Sequence, residues 1–305
     1  MKRVFFLSAL AFAPALFADI PLLPLNEDAA AAFVKSSPDI AKCAEEFSEK
    51  ALKCYEAKDL PNARANFLAG KFFEYMQKSA QAPAPDLFAY IMGNQQLLET
   101  LGATISERDD INEAFKILNA IWKDDKENFK KFQNLAVAIA VVFDTPPPET
   151  WPHPQVSKKT LPRKFMEPAE AFKMWVADRS KGRLLSKIEN LSVEELKFLV
   201  ASVAPQSDRQ WAQRSISANA AGIAKIYDTI NYDHARVNAK QFDWQGQDYA
   251  LETIKKTGGI CTDQSYFTSE VAKAKGLPAF IFSGAGSDGF HAWVAATRPA
   301  SSPSL

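Results

Sequence analysis

Apolar and polar residues follow a helical period from about residue 28 to residue 144. Glu45, Glu46, Glu49 and Lys50 alternate with Phe47, Ala51, Leu52 and Tyr55 at three-to-four-residue spacing, which predicts an amphipathic helix. Asp59-Leu60-Pro61 breaks that run, and a second helix is expected over 63–77, carrying Phe67, Phe72 and Phe73. Further helices are expected over 86–101, 107–122 and 126–143. The last holds the unbroken apolar run 135–143 and suits the centre of a helical domain. Seven prolines between Pro146 and Pro168 then deny both helix and central strand. Trp151 and His153 lie among them and predict a loop packed on the surface instead of a free tether. Helical patterning resumes over 168–178, over 192–203 with Ser192 as N-cap ahead of Glu194 and Glu195, and over 208–230. Beyond residue 230 Gly, aromatic and β-branched residues become denser.

The first pair of helices resembles a helix-turn-helix unit of the tetratricopeptide kind, although no second copy follows at a fixed period. The pattern divides the chain into a helical domain over 19–144, a Pro-rich linker over 145–168, a helical connector over 169–222 and a distinct unit over 223–305.

The N-terminus reads as an export signal. Lys2 and Arg3 precede an apolar stretch from Val4 to Phe17 that is short for a bilayer span, and Ala18 offers a small residue at the cleavage point before Asp19. Residues 1–18 are therefore expected to direct the protein to the periplasm or outside the cell, leaving a mature chain with no membrane segment. Lys plus Arg and Asp plus Glu each number 36, for a formal net charge of zero. That balance, with no basic run interleaved with aromatics, speaks against nucleic acid as a partner.

Export implies an oxidising compartment, in which the 3 cysteines need separate accounts. Cys43 and Cys54 stand eleven residues apart in a helical stretch, about 16 Å along one face, beyond disulfide reach. Both read as small core residues. Cys261 is left unpaired in a different setting, which invites a chemical explanation. No His-x-x-x-His or Cys-x-x-Cys pair occurs, so no metal site is expected.

The chemistry concentrates between Ile223 and Val294. Gly258-Gly259 permits a tight turn, and a helix is expected from Cys261 until Gly276 and Pro278 end it. At a helix N-terminus the free amides and the helix dipole favour a thiolate. Ala279 to Phe282 reads as a buried strand, Ser283 to Gly289 as a turn, and Phe290 to Ala295 as a second strand that brings His291 back past the helix start. Gly284, Gly286 and Gly289 belong to that turn and not to a nucleotide loop, and Trp293 reads as a core or groove aromatic. A Cys at a helix start facing a His on a neighbouring strand is what thiol catalysis needs.

Three blocks, Gly-Gly-Ile-Cys261-Thr-Asp-Gln, Ala-Lys-Gly-Leu-Pro278-Ala and His291-Ala-Trp-Val, together resemble the core of the transglutaminase-like superfamily. The segment Ile226 to Tyr232 is similar to the helix that family places before its core. The resemblance implies an α+β protein: a long all-α N-terminal region followed by a papain-like core of one helix and antiparallel strands. It implies Cys261 as nucleophile, His291 as base, the Cys261 amide as one oxyanion donor, and Trp244 or Gln245 as the other. Asp263 reads as part of the helix start. No cofactor is needed, no acidic loop suggests calcium, and the implied substrate is a protein or peptide. The family's third member, an Asp on the strand after the His, has no counterpart, since no acidic residue follows His291. The core is accordingly expected to be cut off after its second strand, with Asp243 or Asp288 as substitute acids. Two functions stay open: an exported cysteine peptidase or acyltransferase, and a catalytically inactive scaffold that binds a protein partner through its helices.

Overall fold

The computed structural model of the protein describes Leu23, residues 25–286 and residues 289–297. The expected export signal and Asp288 lie outside the described residues.

Polar caps set the early helices. Asn26 accepts from the Ala29 amide to open α1 (Glu27–Lys35), Asp39 opens α2 (Ile40–Glu56) and Asp59 opens α3 (Leu60–Lys78). Helices α2 and α3 pack along their length as the expected helical hairpin. Because α2 is continuous, Cys43 and Cys54 remain apart, and both are free thiols. Two long helices expected from periodicity are each broken in two. Asn94 leaves helical geometry between α4 (Pro85–Gly93) and α5 (Gln95–Thr104), its side chain capping the Leu97 amide. After α6 (Ile111–Asp124), Phe132 does the same between α7 (Lys126–Lys131) and α8 (Gln133–Phe143). Apolar periodicity continues through both breaks, so it carries no sign of them.

Helices α9 (Pro168–Ser180) and α10 (Val193–Val200) follow the Pro-rich segment, and Ser192 and Glu195 form a reciprocal capping box at the start of α10. Of the helix expected over 208–230, only α11 (Gln206–Ser215) is α-helical. The chain is extended at Ile216, and Ile223–Thr229 is a 3-10 helix. Two short helices, α12 (His234–Asn238) and α13 (Leu251–Thr257), lead to α14 (Cys261–Ala274), β1 (Ala279–Gly286) and β2 (Gly289–Ala296). The structure is thus mostly helical with a two-stranded antiparallel sheet, an α+β arrangement. The expected turn over 283–289 is largely strand, because the hairpin pairs from Ala279↔Ala296 to Gly286↔Gly289.

Apolar side chains gather into two cores. The first joins α1 through α10 and includes Phe172, Trp175, Leu196 and Leu199, so the helices expected as a connector pack with the N-terminal helices. The second surrounds α14 and takes in Val156 and Leu161 from the Pro-rich segment, which is a packed element. Arg163 pins that segment by donating to the carbonyls of Trp151, His153 and Val156. A buried pair holds the two cores together: Arg209 on α11 donates to Asp178 on α9 at 2.9 Å and lies over the Trp175 ring. All 14 residues of α14 are buried. No described helix is long and apolar enough to cross a membrane.

Helices α3 and α5 cross at a glycine. A methyl group on Gly102 would stand 2.0 Å from the Leu68 carbonyl oxygen, a backbone atom that cannot yield. Gly102→Ala is expected to destabilise the helical domain by about 1–3 kcal/mol or more, read as a lowered midpoint in urea unfolding with an unchanged slope.

Candidate functional site at the start of the buried helix

The turn before Cys261 is built on close backbone approach. Gly258 has φ +83°, and a Cβ there would lie 2.4 Å from the Asn231 carbonyl oxygen. Gly259 donates to that oxygen at 2.9 Å and its own carbonyl accepts from Asp233 at 3.0 Å. Residues 231–233 thereby run beside the turn as a short parallel bridge, Tyr232 opposite Gly259.

Cys261 follows as the first residue of α14, 9% exposed, where the helix amides lack intrahelical partners. Asp263, two residues on, accepts from the Ile260 amide at 2.8 Å. Its carboxylate also accepts from Arg236 Nη1 at 2.8 Å and from the Tyr249 hydroxyl at 2.7 Å. Arg236 continues to the carbonyls of Gln241 and Phe242. Burial pushes the Asp263 carboxyl up, while the hydrogen bonds from Tyr249 and Arg236 pull it back. Burial likewise holds the Tyr249 hydroxyl well above its ordinary range, so it stays a donor. With that proton given to Asp263, the Tyr249 oxygen accepts from His153 Nε2 at 2.8 Å. A chain from His153 through Tyr249 to Asp263 thus fixes the turn that carries Cys261. Asp263 is part of the helix start, as expected. Arg236 and Tyr249 were not legible as its partners, nor His153 as the next link, because they come from three separate stretches of chain, the short α12 and two irregular segments, with no shared periodic pattern.

The hairpin packs on α14 through one face. Ala279, Ile281 and Ala296 pack into the second core, and Ala292 is 4% exposed. The Tyr227 hydroxyl, kept protonated by burial with its pKa pushed up to about 12, reaches the Ala292 carbonyl at 3.2 Å and the Cys261 carbonyl at 3.5 Å. The backbone of β2 therefore lies beside the first turn of α14. Strand alternation puts His291 on the other face. There its ring meets Trp293 edge-on at 4.9 Å, Trp293 stacks on Phe282 at 5.5 Å, and Phe282 adjoins Phe280. The expectation that Phe280 and Phe282 are buried is corrected: both are exposed, because this face turns away from the core. Cys261 and His291 share no hydrogen bond.

The other expected residues are engaged locally. Trp244 donates Nε1–H to the Asp248 carbonyl at 2.7 Å, and Gln245 turns back to the Asp243 carbonyl at 2.9 Å. Neither donor is held toward Cys261. His234 packs against Tyr232. No group of three His, Cys, Asp or Glu able to hold a metal occurs among the described residues.

The His153 chain has a pH signature. Burial pushes its imidazole down from 6.5 to about 3, so the folded protein keeps it neutral where the unfolded chain is protonated. Stability is lost as pH falls from about 6.5 toward 3, at roughly 1.4 kcal/mol per pH unit. Asp144 and Asp208, pushed up to about 6 by burial, act oppositely: they bind protons in the folded state first and add stability as pH falls from about 6 toward 4. His153→Gln keeps a donor for Tyr249 and removes only the imidazole titration. Its unfolding free energy is expected to converge on or overtake the wild type's between pH 7 and pH 4.5, while parallel curves would refute the assignment.

Comparison with protein-family models, with curated proteins and with solved structures gives no match.

Proposed function

We propose that this protein is an exported, transglutaminase-like cysteine enzyme acting on peptide or amide bonds, as a peptidase or an acyltransferase. The observation that carries the reading is Cys261 as first residue of a fully buried helix, with the strand bearing His291 tied to its turn through Tyr227. In the reaction, the imidazole takes the thiol proton and the sulfur attacks the acyl carbon. The amine leaves with that proton, and water or a second amine then resolves the thioester. The Cys261 amide serves the developing oxyanion. The step requires a His291 ring nitrogen within direct hydrogen-bond reach of the Cys261 sulfur, so the hairpin must turn His291 onto the helix side when substrate binds. Protein or peptide chains are the substrates this chemistry takes, and the helical domain offers a surface for a protein partner.

A second reading is favoured by one observation. His291 belongs to the aromatic face and makes no bond to Cys261, which suits a scaffold that keeps a degenerate core. Alkylation separates the two. Cys43, whose thiol burial pushes up to about 11, is an internal reference for an inert cysteine. At pH 7 iodoacetamide is expected to label Cys261 at least about tenfold faster than Cys43, with His291→Ala moving the pH profile of that labelling upward. A Cys261 rate no higher than those of Cys43 and Cys54 would remove the enzyme reading.

A further inference from the structure

A cavity of about 400 Å³ opens between α10, the far half of α14 and the start of β1. It lies at the other end of α14 from Cys261 and plays no part in thiol chemistry. Its size falls within the range of small-molecule sites, roughly 300–1,000 Å³. Trp151, Phe198 and Phe280 form its aromatic walls, with Phe198 and Phe280 in contact at 4.9 Å.

The floor is polar and comes from one face of α14: Ser269, Glu270 and Lys273. Glu270 and Lys273 neutralise each other at 2.9 Å. Glu270 also accepts from Ser202, and Lys273 donates to the Ala201 carbonyl and faces the Trp151 ring. Ser269 differs. It is fully buried, lines the cavity, and its hydroxyl has no hydrogen-bond partner. A buried hydroxyl without a partner is costly and calls for one.

We propose that this cavity binds a neutral, flat aromatic molecule bearing one hydroxyl or amide group. The aromatic walls select a planar apolar body. The Ser269 hydroxyl selects a single hydrogen-bonding group. The charges lining the cavity are closed into two pairs, Glu270–Lys273 at 2.9 Å and Glu194–Lys197 at 2.7 Å, so no counter-charge is left and an ionised ligand would be buried unpaired.

The test is 2-naphthol titrated into the full-length protein by calorimetry and followed by saturation-transfer NMR, with 2-naphthoate as the charged analogue. Saturable 2-naphthol binding is expected, with 2-naphthoate at least about tenfold weaker. Ser269→Ala should weaken 2-naphthol about five- to tenfold, the loss of one hydrogen bond. Ala201→Phe, which fills the cavity, should abolish binding; if that variant does not fold, Ile281→Trp takes its place. Cys261→Ala should bind as the wild type does. No saturable binding, or binding indifferent to both Ser269→Ala and the filling substitution, would overturn the proposal.

Discussion

Burial of α14 on every side is the constraint from which the second half of the molecule follows. A helix enclosed all round is ordinarily apolar all round, yet this one carries Asp263, Gln264, Glu270 and Lys273. Each has to be satisfied inside the protein, since an unpaired buried charge costs several kcal/mol. The surrounding chain is organised to do this. Arg236 and Tyr249 meet Asp263, the Gln264 amide reaches the Ile230 carbonyl, and Ser202 and Lys273 share Glu270. At the far end the carbonyls of Lys273 and Ala274 are taken by Arg209 and Gln213. Those two side chains also hold Asp178, so the clamp on the end of α14 doubles as the tie to the helical domain.

The same constraint makes the position of Cys261 stiff. Its turn is pinned by glycines against residue 231, by Asp263 on the Ile260 amide, and by Tyr227 on its own carbonyl. Every one of these contacts is to backbone or to a buried polar group, so few of them can be lost singly without leaving an unpaired atom. The hairpin is held differently, through small and aliphatic side chains on one face and a single hydroxyl at its edge. Rigidity is therefore concentrated at Cys261, and any rearrangement that brings His291 nearer to it falls to the strand.

What the sequence made legible was local. The Gly258-Gly259 turn, the start of α14 at Cys261 and its end before Gly276, which has φ +81°, all depend on residues within a few positions of one another. The Ser192 cap is of the same kind. What escaped was decided at a distance. Asn94 and Phe132 leave helical geometry although the apolar periodicity runs on through both positions. The bond of His153 could not be read because its partner lies 96 residues away, and the capture of Asp263 by Tyr249 and Arg236 joins separate segments with no shared period. Phe280 and Phe282 were misplaced for a subtler reason: an apolar run of four residues does not say which alternate pair faces the core.

That parity decides the relation between Cys261 and His291. One face of the hairpin offers Ala279, Ile281, Ala292 and Ala296, the other Phe280, Phe282, Trp293 and His291. The small face lets backbone approach α14 closely enough for Tyr227 to bridge the Cys261 and Ala292 carbonyls. Turning the imidazole toward the helix by a one-residue slip would flip every side chain of β2 at once, driving the Trp293 indole with it into space that now fits Ala292 and Ala296. A slip is thus excluded by volume. The imidazole can reach the helix side only if β2 twists locally around His291, near the hairpin end where the facing residues are Gly284 and Gly286, and where a Cβ on Gly286 would touch nothing.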